Sequence, residues 1–220
     1  RAPIPLDWTY AYMRRFHAAA VRTLVPTTSQ RQRLVERGFE NVVQWSRGVD
    51  TRIFKPGDKE FLRAQRPVFI YLGRVAVEKN IEAFLKLDLP GTKVVVGDGP
   101  DRGRLCQAYP GVVFTGYQFG EELARYLAAA DVFVFPSLTD TYGLVMLEAM
   151  ACGLPIAAFP VTGPIDVVEN GVTGVLDEDL QRAAMAALEL DPQACLNYAR
   201  ARSWRQCAAQ FADYLEPCGQ

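Results

Sequence analysis

The chain has 220 residues, of which 50% are hydrophobic and 22% charged, and its formal net charge is −1. This length fits one complete domain with an attached piece, because domains usually contain about 100 to 200 residues. The nearly cancelling charges exclude the strongly basic surface of a nucleic-acid-binding protein, and the hydrophobic fraction excludes a disordered chain.

The cysteines and the hydropathy pattern indicate a protein of the reducing cytoplasm. The five cysteines are odd in number and no pair has C-x-x-C spacing, so we predict neither a disulfide framework nor a zinc site. No apolar stretch approaches the roughly 18 residues of a membrane span, and residues 1–5 lack the apolar core of a signal peptide. The first residue is not Met, which indicates a trimmed or partial chain.

Short apolar runs alternate with helical patterns along almost the whole chain, which is typical of βαβ units and a parallel sheet. The runs themselves are apolar without alternation, as expected of strands that are buried on both faces. The predicted strands are residues 23–26, 42–45, 68–72, 93–96, 112–115, 132–135, 156–159 and 172–176. The predicted helices include residues 7–22, 29–38, 180–190, 192–202 and 204–215.

Residues 47–66 interrupt this alternation and indicate a domain boundary. Gly48, Pro56 and Gly57 are followed by a charged stretch, which favours a connection over a βαβ unit. The first part, residues 1–50, has only two strands for two helices and is expected to need missing sequence or a partner surface. The predicted parts are residues 1–50, a connection at 51–66, a doubly wound, Rossmann-like α/β domain of about six parallel strands at 67–202, and a final helix at 203–220.

The first candidate ligand site is a basic turn directly after the predicted strand 68–72. Gly73 allows a sharp turn, and Arg74 and Lys79 place two cations at the carboxyl end of the strand, where parallel sheets bind ligands. Two fixed positive charges suit a diphosphate. A solvated basic turn explains the same residues equally well.

The second candidate lies between a strand and a helix and contains Gly97, Gly99 and Gly103. Its G-x-G-x-x-x-G spacing misses the dinucleotide fingerprint, and the next strand ends in Gly116-Tyr117 rather than in an acid for a ribose. We therefore favour a tight turn with a helix start over a nicotinamide site.

The third candidate covers residues 132–153, where a buried strand leads through a polar loop into a helix that ends at a glycine. Gly143 and the N–H groups that follow it can approach a phosphate closely. Glu148 lies one helical turn beyond Leu144 and is costly to bury without a hydrogen bond, which a pair of ribose hydroxyls would supply. A place on an exposed polar face is the alternative for Glu148. Asp140 fits an N-cap better than a sugar contact.

Other acidic and basic groups give weaker signals. Residues 177–179 have a D-x-D pattern, but they precede a predicted helix, where acids are favoured without a metal. His17, the only histidine, is interpreted as a surface or packed side chain. No Ser-His-Asp, Cys-His or P-loop arrangement is present.

Taken together, these motifs resemble the retaining family 4 (group 1) glycosyltransferases of GT-B fold. The resemblance begins near Val21 and rests on four motifs in family order: Ser46-Arg47-Gly48-Val49-Asp50 as the interdomain hinge, Gly73-Arg74 with Lys79-Asn80, Gly97-Asp98-Gly99-Pro100, and residues 135–157 as the E-x7-E region. The sequence around Asp140 and at residues 160–164 is most similar to that of the branch of glycolipid and sulfolipid synthases, which mainly use UDP-sugars.

The resemblance implies a role for each site residue. Arg74 and Lys79 would hold the donor diphosphate as catalytic cations. Asp140, also catalytic, would face the donor sugar or phosphate, although it replaces the family's Glu with a side chain one methylene shorter. The implied donor-binding residues are Gly73, Gly97, Gly99, Tyr117, Gln118, Gly143, Leu144, Val145 and Glu148, with Tyr117 and Gln118 lining the base and Glu148 binding the ribose. Residues 1–50 would be the end of the acceptor-side domain, and residues 203–220 the helix that crosses back onto it.

The implied activity is that of a hexosyltransferase that transfers a sugar, with retention, from a UDP-sugar in preference to a GDP-sugar to a lipid or glycan hydroxyl. No metal or other cofactor is implied. A lipid acceptor would place the cytoplasmic protein at the inner face of the membrane. Three alternatives stay open: a nucleotide-sugar-binding module without catalysis, a NAD-dependent oxidoreductase, and a sugar-nucleotide epimerase of the same fold.

Overall fold

The computed structural model describes residues 5–216, whose strands form two parallel sheets of unequal size. The small sheet pairs β1 (Thr23–Val25) with β2 (Val42–Gln44). The large sheet has six strands in the order β5-β4-β3-β6-β7-β8. Its strands are β3 (Val68–Leu72), β4 (Thr92–Val96), β5 (Val113–Gly116), β6 (Val132–Phe135), β7 (Ile156–Ala158) and β8 (Gly174–Leu176).

Helices cover both faces of the large sheet, which confirms the predicted doubly wound α/β fold. The helices in chain order are α1 (Leu6–His17), α2 (Thr28–Glu36), α3 (Ile81–Leu85), α4 (Arg102–Ala108), α5 (Gly120–Ala129), α6 (Leu144–Ala151), α7 (Pro164–Val167), α8 (Leu180–Ala187), α9 (Pro192–Arg200) and α10 (Trp204–Asp213). Of these, α1 and α2 pack with the small sheet rather than with the large one. Each of the predicted strands and helices given above is present; β3 and β6 have the predicted bounds, and the others have shifted ends. β8 begins two residues later than expected because Val172 belongs to a turn, in which its N–H donates to the Glu169 carbonyl at 2.9 Å.

The core lies on both sides of the large sheet because successive residues of each strand point to opposite faces. Ile70 and Phe133 pack on one face with α5, α6 and α9. Phe69 and Val134 pack on the other face with α3, α4 and α8. All four side chains are fully buried. This explains why the strands read as continuous apolar runs.

The strand order reverses between β3 and β6. From β3 the chain adds β4 and β5 on one side, then returns to add β6, β7 and β8 on the other. Crossover segments leave β3 and β6 in opposite directions at this point, so a crevice opens beyond the carboxyl ends of the two strands. The loops after Leu72 and Phe135 border that crevice.

The small sheet is connected to the large one through α10. The Trp45 indole N–H donates to the Cys207 carbonyl at 2.9 Å, and the Tyr214 hydroxyl donates to the Gln44 carbonyl at 2.8 Å. The Trp45 ring packs on Phe211 with centroids 5.1 Å apart. The last helix therefore packs on β2, while the predicted domain limits stay predictions.

The outer face of α1 is largely exposed. Trp8, Tyr12 and Phe16 recur at every fourth position, and each is about 70% exposed. His17, expected to be a surface or packed side chain, is half-buried and lies edge-on against Phe16. Within residues 5–216 no helix is both long and apolar enough to cross a bilayer.

The described cysteines Cys106, Cys152, Cys195 and Cys207 are free thiols. Cys218 and the start of the chain, Arg1 to Ile4, lie outside the described residues.

Candidate functional site

A cavity of about 420 Å³ opens at the point where the strand order reverses. Its walls come from the loops after β3 and β6, from the start of α6, and from two residues of the N-terminal part, Pro26 and Arg47. Further lining residues are Tyr71, Leu72, Gly73, Lys79, Phe135, Ser137, Asp140, Thr141, Tyr142, Gly143, Leu144 and Val145. Three of the predicted motifs, residues 46–50, 73–80 and 135–157, therefore contribute to one cavity.

The turn after β3 is held by a buried tyrosine. The Tyr71 hydroxyl donates to the Arg74 carbonyl at 2.8 Å, and burial raises the pKa of Tyr71. A Cβ on Gly73 would lie 2.7 Å from the Tyr71 hydroxyl oxygen. Glycine is therefore required at position 73 for this hydrogen bond to form.

Lys79 and Asp140 form an ion pair in the cavity, with 2.8 Å between Nζ and Oδ2. Lys79 ends a 3₁₀ turn, and the next residue, Asn80, has a left-handed backbone and donates from its side chain to the Pro136 carbonyl at 3.0 Å. This bond connects the loop after β3 to the end of β6. Asn80 was part of the motif in the sequence, but its positioning contact was not predicted.

Asp140 is not an N-cap, so that interpretation of the sequence is wrong. α6 begins only at Leu144, and its N-cap is Gly143. The second oxygen of Asp140 instead accepts from the Thr141 N–H at 2.9 Å. Both carboxylate oxygens are thus fixed, one by Thr141 and the other by Lys79.

The start of α6 presents free backbone donors to the cavity. Gly143 has φ 79° and ψ 62°, and no side chain of the described chain caps the helix. The first N–H groups of any α-helix have no partner within the helix, and they carry the positive end of its dipole. Gly143, Leu144 and Val145 all line the cavity, as expected from the sequence.

Arg74 is not in the cavity. Its guanidinium pairs with Glu78, four residues later, at 3.2 Å, and the side chain is 61% exposed. The second cation that lines the cavity is Arg47, which stacks over the Trp45 ring at 4.7 Å. Sequence reasoning treated Arg47 only as part of the hinge, since its long-range position could not be read from local pattern.

Gly97 and Gly99 allow two loops to touch through their backbones. A Cβ on Gly97 would lie 1.9 Å from the Gly73 carbonyl oxygen, and a Cβ on Gly99 would lie 2.3 Å from that of Val75. The Gly97 N–H donates to the Gly116 carbonyl at 2.8 Å. These contacts show the tight turn that the sequence favoured.

Tyr117 and Gln118 lie at the end of β5, outside the 420 Å³ cavity. The Tyr117 ring is 57% exposed and stacks on Phe119 with centroids 5.9 Å apart. The Gln118 side chain donates to the Thr115 carbonyl at 3.3 Å. The implied contact with a base stays a prediction.

Glu148 lies one turn beyond Leu144 on the same side of α6. Its side chain is half-buried and has no hydrogen-bond partner among residues 5–216, and burial raises the pKa of its carboxyl. It is thus neither a freely exposed surface group nor hydrogen-bonded within the described residues. Its implied bond to a ribose stays a prediction.

The D-x-D segment has structural contacts. Asp179 caps α8 by accepting from the N–H groups of Gln181 and Arg182, as predicted. The hydrogen bond from Arg182 lowers the pKa of Asp177. Among the described residues, no cluster of three acidic, histidine or cysteine side chains could hold a metal ion.

Comparison with known proteins gives a match to the family described as "Glycosyl transferases group 1" over residues 66–190. The "GDP-mannose-dependent alpha-mannosyltransferase" of Mycobacterium tuberculosis is 38% identical over 182 residues, covering 79% of this chain and 48% of that protein. The "Sulfoquinovosyl transferase SQD2" of Arabidopsis thaliana is 36% identical over 186 residues, covering 76% and 36%. The chain spans about half the length, or less, of these curated relatives.

Solved structures show the same fold. Anabaena Alr3699/HepE in complex with UDP matches with a TM-score of 0.80 and 19% identity, over 95% of this chain and 67% of that chain. Sucrose-phosphate synthase from Thermosynechococcus elongatus matches with a TM-score of 0.79 and 26% identity, over 94% and 60%. Since the family match covers more than half of the residues, the chain belongs to the group 1 glycosyl transferases and has the six-stranded half of their GT-B fold.

Proposed function

We propose that this chain is the donor-binding part of a glycosyltransferase that transfers a sugar from a nucleoside diphosphate to a hydroxyl group with retention of configuration. One observation carries the proposal: the Lys79–Asp140 pair and the uncapped start of α6 share a single cavity where the sheet order reverses. A cation beside free N–H groups is a site for phosphate oxygens.

The proposed chemistry needs stabilisation of charge on the departing diphosphate. Lys79 and the first N–H groups of α6 are fixed before the reaction, so they lower the energy of the developing charge without reorganising. Arg47 adds a second positive charge to the cavity wall. These groups allow a mechanism that uses no metal ion, which is part of the proposal.

Asp140 would hold Lys79 in place and face the sugar. Because its carboxylate accepts from both Lys79 and the Thr141 N–H, it is held in one orientation. The shorter Asp side chain still reaches Lys79, with 2.8 Å between Oδ2 and Nζ. The acceptor, a lipid or glycan hydroxyl, would enter from the side of Pro26 and Arg47, and association with a membrane surface belongs to the same proposal.

The nucleotide base is the least constrained part of the donor. The sequence motifs favour UDP. Solved structures of the same fold also contain UDP, but at 19% or 20% identity those structures show the fold alone. Relatives at 38% and 40% identity are named GDP-mannose-dependent. We therefore place GDP-mannose first and a UDP-sugar second.

A nicotinamide cofactor receives no support from the geometry. Gly97 and Gly99 face the backbones of Gly73 and Val75, so their missing side chains serve loop packing. For the alternative of a sugar-nucleotide epimerase we assign no acid and base, because the Asp140 carboxylate and the Lys79 ammonium in the cavity are paired with each other. A binding module without catalysis would share the nucleotide site and differ only in turnover.

Isothermal titration of the 220-residue chain with GDP, UDP and NAD tests the proposal. We expect a nucleoside diphosphate to bind, NAD not to bind, and Lys79→Ala to weaken binding at least tenfold, since a charged hydrogen bond contributes about 1.5–3 kcal/mol. Lys86→Ala is the matched control, because Lys86 pairs with Glu82 on the surface at 3.2 Å, and it should change affinity less than twofold. A folded chain that binds neither nucleotide would contradict the proposal.

A further inference from the structure

Asp166 makes a contact between the two parts of the chain that the donor site does not explain. Its Oδ1 accepts from the Ser29 N–H at 3.0 Å, although the two residues are 137 positions apart. Its other oxygen, Oδ2, is buried and has no hydrogen-bond partner among the described residues. A buried oxygen without a hydrogen-bond partner costs free energy, so the buried position of Oδ2 is unfavourable by itself. The hydrogen bond from Ser29 to Oδ1 offsets part of this cost.

The contact completes the start of α2. Thr27 is the N-cap and accepts from the Gln30 N–H at 3.2 Å, while Asp166 takes the Ser29 N–H that this cap leaves free. A negative charge at a helix N-terminus also interacts favourably with the helix dipole. Asp166 thus acts as a second cap that the distant short helix α7 supplies.

The loop that leads into α7, the short helix that carries Asp166, also packs on the loop of the Asp140–Lys79 pair. A Cβ on Gly163 would lie 3.1 Å from the Asp140 carbonyl oxygen, so the two loops are already in close contact. From the other side, the Gln30 side chain donates to the Thr141 carbonyl at 3.4 Å. The start of α2 therefore reaches Asp140 by two separate routes.

We propose that Asp166 is a positioning residue that fastens the start of α2 to the loop of Asp140 and so sets the place of the Asp140–Lys79 pair. The Asp140 carboxylate accepts hydrogen bonds from the Lys79 ammonium and from the Thr141 N–H. A shift of the Asp140 loop would therefore move the Lys79 ammonium as well. The consequence for the donor rests on the proposed function; the mechanical link between α2 and the Asp140 loop does not.

Amide hydrogen exchange of the 220-residue chain tests the link without any ligand. Asp166→Ala should raise the exchange rate at least fivefold both in residues 28–31 and in residues 139–143. Asp166→Asn keeps an acceptor oxygen, so its exchange rates should stay within twofold of those of the natural chain. Asp191→Ala is the matched control, because Asp191 caps α9 through the Gln193 N–H at 2.9 Å, far along the chain from these loops. It should leave both segments unchanged. Faster exchange in Asp166→Ala at residues 28–31 alone would reduce Asp166 to a local cap and overturn the proposal.

Titration with GDP-mannose and UDP-glucose tests the consequence for the donor. Asp166→Ala should weaken binding about tenfold and Asp191→Ala less than twofold. When Asp166→Ala is combined with Asp140→Asn, the two losses should not multiply, because coupled sites are not additive. Fully multiplicative losses would refute the coupling to the Asp140–Lys79 pair. If the natural chain binds neither nucleotide sugar, the proposed function fails, and the exchange comparison alone decides on Asp166.

Discussion

Replacing Gly143 with Ala tests the strained entry into α6. Gly143 has φ 79° and ψ 62°, a left-handed conformation that costs a residue with a Cβ about 1–2 kcal/mol. The added Cβ would also lie 2.6 Å from the end of the Met146 side chain and 3.3 Å from the Phe135 ring. Both side chains are buried in the core, so the flexible Met146 side chain can adjust only within its packing and the Phe135 ring even less.

The expected loss in free energy of unfolding is about 1–3 kcal/mol, which combines the backbone conformation with a small packing adjustment. Gly103→Ala is the control, because Gly103 lies within α4 and its Cβ would meet no described atom within 4 Å. There, alanine should raise stability by about 0.5–1 kcal/mol. Urea unfolding followed by tryptophan fluorescence measures both variants. Equal midpoints for Gly143→Ala and the natural chain would refute the assigned conformation at Gly143.

Three further predictions follow from the same contacts. Glu78→Ala should release Arg74 for the phosphates and raise nucleotide affinity up to about fivefold in titration, since a surface ion pair contributes about 0–1 kcal/mol; unchanged affinity would exclude Arg74 from the site. Tyr71→Phe should lower the free energy of unfolding by about 0.5–1.5 kcal/mol, because the Arg74 carbonyl loses its donor, and an unaltered urea midpoint would contradict this. Burial raises the pKa of Glu148, so the folded state binds the carboxyl proton more tightly than the unfolded state does. The contribution of Glu148 to stability is therefore present at low pH. It is lost as the pH rises above the unfolded pKa of about 4.5 towards the folded pKa. Glu148→Gln should therefore raise stability at pH 7 and reduce the decline between pH 4 and pH 7 in urea unfolding, and a steeper decline would contradict the sign.

The fold could be predicted from the sequence because its signal is local. A buried parallel strand must be apolar at successive positions, and β3 and β6 both show such runs. The glycine requirements at Gly73, Gly97 and Gly143 could also be predicted, since each stands directly after a strand or before a helix. The ends of elements were less certain, as the later start of β8 shows.

The details of the site depend on contacts between distant segments, which local pattern does not reveal. The sequence placed Arg74 near the diphosphate but could not show that Glu78, four residues later, pairs with it on the surface. It treated Asp140 as a cap because an Asp shortly before a helix is a favourable N-cap, whereas the N-cap of α6 is Gly143. The contact of Asp166 with Ser29 joins segments 137 positions apart and left no trace in spacing or composition.

The interlocked glycine turns restrict how this protein could be engineered towards another nucleotide. Any side chain at Gly97 or Gly99 would collide with a neighbouring main chain rather than with a movable group, so these positions should remain invariant in a mutant library. Diversity is better placed at Tyr117 and Phe119, whose rings are more than half exposed at the end of β5. A selection for altered base preference should then recover changes at the aromatic pair and none at the two glycines.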